Sequence, residues 1–353
     1  MSLIQLGWKK QQEAWENECK INGYELGRII TEYPSSYRIM TQERELLGTV
    51  SGKFRFHAHQ RSDYPCVGDW ISFQRYDEDK GMIHSIFPRF SQFSRKEAGT
   101  GLEEQNVASN VDFVFLVSAL NQDFNLRRIE RYLVLAWESG SNPVIVLNKG
   151  DLCPDVHEKV HQVEGIACGV PIHVISAMSH QGIQELSPYV SAGNTVALLG
   201  SSGVGKSTLV NALLGTDRQS TQGSREKDGK GRHTTTNREL IALPQGGAII
   251  DTPGMREIQL GSIVSGIDDA FMDIIDLAQS CHFIDCTHRK ETGCAVQQAI
   301  EEGVLSSERL HSYRKLQREL DYMDRKVDKD LQLAEKNRTK KQQKAYNHHF
   351  KRR

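Results

Sequence analysis

The sequence predicts a multidomain chain with a small N-terminal β-barrel, a central α/β domain and a C-terminal helical domain that holds a metal. Three observations predict this arrangement. Short apolar stretches separated by Gly and Pro fill residues 26–86, a glycine-rich loop lies between an apolar strand and a helix near residue 200, and three cysteines and a histidine cluster within residues 281–294. A chain of 353 residues has room for two or three domains of about 150 residues.

Residues 1–22 are predicted to form an N-terminal helical extension, since Trp8 and Trp15 would lie on roughly one side of a helix over residues 8–19. Residues 23–95 follow as a domain of five short strands, at 26–30, 36–40, 47–56, 67–73 and 82–86. Five such strands in about seventy residues indicate a closed barrel of the OB-fold type. Many such barrels bind RNA, but packing against a neighbour is the alternative, and the fold alone does not decide between them.

The polar stretch 96–110 is predicted as a linker, and residues 111–264 as an α/β domain. Apolar runs in this domain alternate with helical patterns, which is typical of α/β folds. The predicted strands before the glycine-rich loop are 112–119, 143–147 and 171–175, and the predicted helices are 126–138 and 183–190.

The second of these strands ends in four residues that match the guanine-reading N-K-x-D element: Asn148, Lys149, Gly150 and Asp151. The carboxylate of Asp151 would accept hydrogen bonds from N1–H and the exocyclic amine of guanine, and adenine does not offer both groups in that arrangement. Four residues alone could be an ordinary strand-to-helix turn. The next strand, however, runs into Ser176 and Ala177, an S-A pair whose backbone N–H contacts the guanine O6, so we expect a guanine site.

A phosphate-binding loop of the form G-x-x-x-x-G-K-S follows the strand 195–199 and precedes the apolar helix 209–214. Its glycines let successive backbone N–H groups converge on a β-phosphate, and the helix N-terminus adds its positive end. Lys206 would reach the β- and γ-phosphates, and the hydroxyl of Ser207 would bind Mg²⁺. The predicted phosphate-binding residues are Gly200, Ser201, Ser202, Gly203, Val204, Gly205, Lys206, Ser207 and Thr208.

Two further stretches are typical of a nucleotide switch. The polar, glycine-bearing stretch 216–232 is predicted as a mobile loop that leads to three threonines. Of these, Thr235 is expected to bind Mg²⁺, although a run of threonines could also begin the next strand. A later predicted strand, which begins at Ala248, ends in D-T-P-G. There Asp251 would hold Mg²⁺ through a water, and the Gly254 N–H would contact the γ-phosphate.

The guanine-reading elements precede the phosphate-binding ones, so the sequence predicts a circularly permuted P-loop GTPase domain. Met255 occupies the position of the water-orienting glutamine of Ras-like enzymes, and a thioether cannot orient water. Lys206 and His233 are therefore the candidate catalytic residues. A neutral His233 ring could accept a hydrogen bond from the attacking water, with packing of the ring as the alternative. Intrinsic turnover is expected to be slow until a partner accelerates it.

Residues 265–353 are predicted as a helical zinc-binding domain with a basic tail. Three thiolates and one imidazole lie within fourteen residues: Cys281, Cys286, His288 and Cys294. Four protein ligands close a tetrahedral site, so one Zn²⁺ per chain would be structural, with free thiols as the alternative. Residues 336–353 contain eight Lys or Arg residues and no acid, and such an arm suits a polyanionic partner.

Composition argues against several classes of protein. No apolar run approaches the ~20 residues that span a bilayer, and the first residues lack the layout of a signal peptide, so we expect a cytosolic chain without a membrane partner. Seven cysteines in such a chain point to free thiols or metal ligands rather than to disulfides.

These motifs in this order, with the segment 64–70 (Y-P-C-V-G-D-W) and the Cys-Cys-His-Cys cluster, resemble the RsgA (YjeQ/YloQ) family of circularly permuted bacterial GTPases. The resemblance covers residues 20–330. It implies an OB-fold, a permuted GTPase domain and a zinc domain in one monomeric chain that binds GTP and GDP. It also implies binding to the small (30S) ribosomal subunit and its 16S rRNA, GTP hydrolysis in response, and a role in late subunit maturation.

Two other classes remain open from the sequence. The first is an ATP-dependent P-loop enzyme, against which Asp151 argues. The second is a zinc-bearing RNA-binding module with a vestigial nucleotide site, and the intact Lys206, Ser207 and Asp251 argue against it.

Overall fold

The computed structural model describes residues 2–9, 12–96, 104–215, 238–251, 265–289, 291–322 and 325. The chain forms two compact units. The first unit comprises Met1–Ser94 and Asn106–Ile258, and the second comprises Arg95–Gln105 and Gln259–Arg353. Among the described residues, no helix has both the length and the apolar character that a membrane span requires.

The first unit begins with a five-stranded barrel. Its strands pair in the order β1-β2-β3-β5-β4, and β4 returns to β1 and closes the ring. Only the β3–β5 pair is parallel. The bounds are β1 Glu25–Glu32, β2 Tyr37–Met40, β3 Glu45–Val50, β4 Trp70–Asp77 and β5 Lys80–Ile86. Alternate residues point inward to a core that includes Ile29, Ile39, Ile71, Phe73 and Ile83. The predicted OB-type barrel is therefore confirmed.

Two predicted elements of this region were wrong in part. The strand predicted over 47–56 ends at Val50, because the Ser51 hydroxyl accepts a hydrogen bond from Phe54 N (3.0 Å) and caps helix α2, Gly52–His57. The helix predicted over 8–19 begins only at α1, Glu13–Ile21, after a 3₁₀ turn at Ile4–Leu6. A side-chain acceptor before a short apolar run favours a helix start over a continuing strand.

The predicted linker contains a strand. Strands β6, Gln92–Lys96, and β7, Glu104–Ser109, pair in a separate two-stranded sheet. Val107 and Ala108 are fully buried, and Ser109 N donates to Val67 O at 3.0 Å. The stretch has few large apolar residues, so its sequence gave no strand signal, and its burial depends on the segment that precedes β4.

The α/β part of the first unit is a six-stranded sheet in the order β10-β9-β8-β11-β13-β12, in which β12 alone is antiparallel. It continues from the barrel through one pairing, Thr31 with Glu239. Its strands are β8 Phe113–Ala119, β9 Asn142–Asn148, β10 Ile172–Val174, β11 Thr195–Leu199, β12 Glu239–Ala242 and β13 Ala248–Asp251. Its helices are α3 Leu126–Glu138, α4 Val156–Glu164 and α5 Lys206–Leu214, whereas the helix predicted over 183–190 is only a 3₁₀ turn at Ile183–Leu186.

Strand β11 lies at the centre of this sheet, between β8 and β13. All five of its residues are buried, since helices cover both faces of a parallel sheet. Val196 and Leu198 pack in one cluster with Val117, Val146 and Leu209. Each such side chain contributes about 1.5–3 kcal/mol by burial, so the loop after β11 extends from one of the most firmly held strands of the domain.

The C-terminal part of the second unit is helical. Its described helices are α6 Ser265–Ala270, α7 Met272–Ala278, α8 Ala295–Glu301 and a helix over residues 307–322. Buried Phe271 and Tyr313 contact each other at a ring-centroid distance of 5.4 Å. Arg309 forms a bidentate ion pair with Asp273 (3.1 and 3.0 Å) and lies 4.1 Å above the Phe271 ring, which fixes the long helix to α7.

Candidate functional site

The loop after β11 has the backbone conformation of a phosphate cradle. Gly203 and Gly205 have φ of +82° and +97°, values that L side chains rarely adopt. A Cβ at Gly205 would lie 2.2 Å from Asn148 Nδ2, so only glycine allows this approach. The sequence therefore uses glycine where the loop must turn back over the sheet edge.

Lys206 is the first residue of α5, and its ammonium points back across the loop. Its Nζ donates to the carbonyl oxygens of Gly200 and Ser201, both at 2.6 Å. Ser207 and Thr208 follow in the first turn and are partly exposed. A cation, a hydroxyl and the N–H groups of a helix start thus lie together, which is the chemistry that binds a polyphosphate and its metal.

Asn148 joins three of the predicted motifs. Its Nδ2 donates to Val204 O in the phosphate loop at 2.8 Å, and its Oδ1 accepts from Lys149 N (2.8 Å) and Ala177 N (2.9 Å). The side chain is buried, so all three hydrogen bonds form away from water. The guanine-reading turn, the S-A pair and the phosphate loop are therefore held in fixed relative positions by one amide.

Lys149 crosses the phosphate loop from the guanine side. It has φ of +64°, and its Nζ donates to Gly203 O at 2.8 Å. A non-glycine residue in this conformation costs of order 1–3 kcal/mol, which the surrounding contacts must offset. The next turn, Gly150–Leu152, presents Asp151 to solvent, while Ser176 is buried and its N and O pair with Gln181.

Asp251 is the last residue of β13, which runs parallel beside β11 with Ile250 opposite Ala197. Its carboxylate therefore reaches the same sheet edge as Lys206 and Ser207. Hydroxyl and carboxylate oxygens are the ligands that Mg²⁺ prefers, so these residues fit that ion. The predicted residues Thr235, Gly254, Met255 and His233 lie outside the part of the chain that the structure describes.

Sequence reasoning missed two residues at this loop. Arg128 Nη1 donates to Ser201 Oγ (3.1 Å), and the same hydroxyl donates to Asp123 Oδ2 (3.2 Å). Hydrogen bonds from Arg128 and then from Ser201 lower the pKa of Asp123 below its usual range. No motif signals this cluster, because the pairing of β8 with β11 brings together residues more than seventy positions apart.

The four cysteine and histidine residues of the second unit do converge. The ligand atoms of Cys281, Cys286, His288 and Cys294 all lie within 4.8 Å of one another. Cys281 Sγ is 3.8 Å from Cys294 Sγ and 3.6 Å from His288 Nδ1. A tetrahedral zinc with Zn–S bonds of about 2.3 Å places its sulfur ligands about 3.8 Å apart. The donor set and its spacing therefore fit Zn²⁺.

Neighbouring residues hold these ligands in place. His288 has φ of +58°, and its carbonyl oxygen accepts hydrogen bonds from Gln297 and Arg314. Cys294 caps α8, since its Sγ accepts from Gln297 N at 3.4 Å. Burial raises the pKa of the Cys281 thiol, but the backbone N–H groups at the start of α8 and the hydrogen bonds with Cys294 and Cys286 together outweigh it, so the net pKa falls below the ordinary value. That shift favours a thiolate, the form that binds metal.

Four features define a P-loop GTPase: a glycine-rich phosphate loop after β11, base-reading turns after β9 and β10, and an acidic residue at the end of β13. The base-reading half precedes the phosphate-binding half in the chain, so the GTPase domain is circularly permuted.

Comparisons with known proteins agree. The family model described as RsgA GTPase matches residues 86–261, and one described as 50S ribosome-binding GTPase matches 195–335. A protein named small ribosomal subunit biogenesis GTPase RsgA 2 from Lactiplantibacillus plantarum is 47% identical over 91% of this chain and 90% of its own length. One named small ribosomal subunit biogenesis GTPase RsgA from Methanosarcina acetivorans is 42% identical over 94% and 89%. This chain belongs to the RsgA GTPase family, and it is a GTP hydrolase.

Two solved structures are similar in fold. YjeQ from Thermotoga maritima superposes with a TM-score of 0.64 at 28% identity, over 84% of this chain and 98% of that one. A structure titled as YloQ, a circularly permuted GTPase, gives a TM-score of 0.61 at 24% identity, over 84% and 95%. These likenesses agree with the barrel, the P-loop domain and the C-terminal helical domain of this chain.

Proposed function

We propose that this protein acts in biogenesis of the small ribosomal subunit, that it binds that subunit through rRNA, and that the bound subunit stimulates its GTP hydrolysis. The observation that carries the nucleotide part is Asn148, whose three hydrogen bonds assemble the guanine and phosphate elements. The names of the relatives, which match nearly the whole chain, support the ribosomal part. The family model described as 50S ribosome-binding GTPase matches only residues 195–335, so it supports a large-subunit partner less strongly than the relatives' names support the small subunit.

The roles of the residues follow from their positions. Asp151 accepts from the guanine edge, and the S-A pair, which Asn148 holds in place through the Ala177 N–H, lies at its O6. Lys206 binds the β- and γ-phosphates together with the backbone of the loop 200–208. Mg²⁺, held by Ser207 and Thr235 directly and by Asp251 through water, would neutralise the charge that develops on the phosphates.

The water-orienting group is proposed to be His233, since Met255 cannot accept a hydrogen bond from water. In this proposal the partner orders the switch segment, and its binding free energy offsets the conformational entropy of ordering. Zn²⁺ at Cys281, Cys286, His288 and Cys294 has a structural role, because four protein ligands leave no position for a substrate.

The domains are proposed as 1–22, 23–95, 96–110, 111–264 and 265–353, with the second as the barrel, the fourth as the GTPase and the last as the zinc domain. The small subunit would bind one copy of the chain. Strand β7, Glu104–Ser109, lies within 96–110, so this part of the proposed linker is structured.

The test is GTP hydrolysis measured alone, with purified small subunits and with purified large subunits. We expect slow turnover alone and strong acceleration by small subunits only. Lys206→Ala should remove both activities, which excludes a contaminating ribosomal GTPase. Equal rates with and without small subunits, or acceleration by large subunits instead, would contradict the proposal.

A further inference from the structure

The barrel carries an exposed basic and aromatic surface on α2 and the turn after it, residues 52–61, called here the α2 segment. Phe56 has 82% of its surface exposed, an unusual state for a large apolar side chain. Lys53, Arg55, His57 and His59 are also exposed. The segment contributes no side chain to the barrel core, so its composition is not explained by packing.

The helix holds Phe56 outward. Ser51 caps its first turn, and the ring of Phe54, two residues earlier, contacts Tyr64 at a centroid distance of 6.0 Å. One aromatic residue thus anchors the helix while the other faces solvent. The His57 ring contacts the Phe56 ring in an edge-on geometry at a centroid distance of 5.5 Å, and its Nδ1 donates to Lys53 O at 2.7 Å. The exposed ring is therefore presented by a local structure that is already ordered.

The charge of this surface is positive. No acidic residue occurs between Glu45 and Asp63. Arg61 is paired with Glu32 at 3.0 Å, but among the described residues neither Lys53 nor Arg55 has a carboxylate at ion-pair distance. The carboxylate of Asp63 accepts hydrogen bonds from His59 N and Gln60 N (2.8 and 3.1 Å), so it is engaged at the backbone and does not neutralise the two cations.

We propose that the α2 segment binds single-stranded RNA, with Phe56 stacked on an unpaired base and Lys53 and Arg55 at the flanking phosphates. This rests on the proposed function, which it extends by naming the surface. Unpaired bases stack on exposed aromatic rings regardless of sequence, and each such contact is worth about 1–3 kcal/mol. The two cations beside the ring, which have no carboxylate partner among the described residues, suit the phosphates of RNA, and the ring suits the flat face of a base.

An oligoribonucleotide of twelve unpaired residues with one 2-aminopurine tests the contact directly, since stacking quenches its fluorescence. Phe56→Ala should abolish the quenching and weaken binding of the oligonucleotide about 5- to 100-fold. The Lys53→Gln, Arg55→Gln double variant should keep the quenching at saturation and lower the salt slope of binding by about 1.4, or about 0.7 per phosphate contact.

Matched controls come from the same barrel. Tyr76→Ala removes an aromatic side chain that is 56% exposed but precedes three acidic residues, and Arg38→Gln removes a cation already paired with Glu45 at 3.0 Å. Neither should change quenching or affinity. Thermal unfolding of all four variants should match the wild type, because the replaced side chains lie on the surface.

Binding of each variant to purified small subunits separates the two proposals. A wild type that does not bind subunits contradicts the proposed function. If the wild type binds subunits and Phe56→Ala behaves like Tyr76→Ala on both probes, the function stands and the RNA surface is wrong. Loss of subunit binding in the double variant without any change on the oligonucleotide would indicate an acidic protein contact, and that outcome also overturns the RNA proposal.

Discussion

We expect guanine recognition to depend on one carboxylate. Asp151 lies in an exposed turn, directly after the lysine that bonds to the phosphate loop. Asp151→Asn replaces one acceptor with a donor, so the exocyclic amine of guanine meets a second donor. We expect GTP affinity to fall on the order of 10²-fold or more. Xanthosine triphosphate, whose C2 carries an oxygen, should bind the variant better than GTP does. Titration with fluorescent nucleotide analogues measures both, and equal GTP affinity in variant and wild type would falsify the assignment.

The water-orienting role is a second prediction for a single residue. His233→Ala should keep GTP affinity and subunit binding but lose most stimulated turnover, on the order of 10²-fold for a positioned acid–base group. The matched control is His180→Ala, which removes an exposed histidine elsewhere in the GTPase domain. Single-turnover hydrolysis with saturating small subunits measures the step. Full stimulation in His233→Ala would mean that the subunit or another residue orients the water.

The spacing of residues within short sequence motifs was sufficient to predict the site residues that belong to those motifs. Lys206 and Asp151 could be named from the sequence because their chemistry requires fixed neighbours. The sequence could also name Asn148, but not its bonds to Val204 O and Ala177 N, which depend on how three loops meet. Asp123 and Arg128 carry no motif at all. Their contact with Ser201 follows from strand order, which local sequence does not encode.

At the level of elements, a metal ion bound by the four-residue cluster would stabilise a loop that has little other reason to fold. Residues 281–294 contain no described helix or strand, and Ile284 and Phe283 are exposed. Metal binding free energy is then folding free energy for this part of the chain. The cluster was predictable because ligand spacing is local, whereas the support of His288 by Arg314 was not, since the arginine lies on a helix 26 residues later.

Cys286→Ser should therefore lower zinc content from about one ion per chain and destabilise the second unit. Elemental analysis measures the metal, and limited proteolysis measures the unfolding of residues 281–294. Cys168→Ser is the control, because Cys168 is exposed and lies in the first unit, outside the cluster. Unchanged zinc content in Cys286→Ser would show that the four residues are not one metal site.

Helices and strands could be told apart from the sequence where the spacing of apolar residues was regular. The prediction was wrong where a single polar residue decided between helix and strand. Ser51 ends β3 and begins α2 within one residue. The apolar residues on both sides suit either element, so only the capping hydrogen bond separates them. Strand β7 was missed for a different reason. Val107 and Ala108 are buried by tertiary contacts, and the sequence of a short, polar segment does not show such contacts.

For the whole first unit, Arg28 is the residue at which the barrel, the N-terminal turn and the phosphate-loop strand meet. It is fully buried, and it donates to Leu6 O, Gly68 O (3.0 Å), Asn110 O (3.0 Å) and Thr195 Oγ1 (2.8 Å). Its guanidinium also lies 5.0 Å from the Trp70 ring centre. Burial lowers its pKa to about 10, and the charges of Asp112 and Asp69 oppose that shift. The cation therefore persists at neutral pH.

Arg28→Met should destabilise the first unit by about 3–5 kcal/mol, because four buried acceptors lose their donor. Urea unfolding measures the loss. Arg38→Met is the control, since Arg38 is 45% exposed in a surface ion pair, and it should cost less than about 1 kcal/mol. A loss below 1 kcal/mol in Arg28→Met would mean that water or backbone shifts satisfy those acceptors, and that Arg28 does not hold the three segments together.

At the scale of the whole molecule, we predict that binding of the proposed polyanionic partner depends on salt. The chain has a net charge of −1, so affinity for rRNA requires cations gathered in particular places. The α2 segment is one such place, and residues 336–353, which lie outside the described residues, supply eight more Lys or Arg side chains. Each phosphate contact releases counterions, so the logarithm of affinity for small subunits should fall steeply with the logarithm of salt concentration.

Deleting residues 336–353 should flatten that salt dependence while GTP binding stays unchanged, because the phosphate loop and the guanine turn belong to the first unit. Replacing the eight basic side chains with Gln at full length is the sharper variant, since it keeps the length and removes only charge. If the tail contacts phosphates, both variants should lower the slope equally. A smaller slope only after deletion would assign the effect to the backbone or apolar residues of the tail, and a salt-independent wild-type affinity would place the contact on protein rather than on RNA.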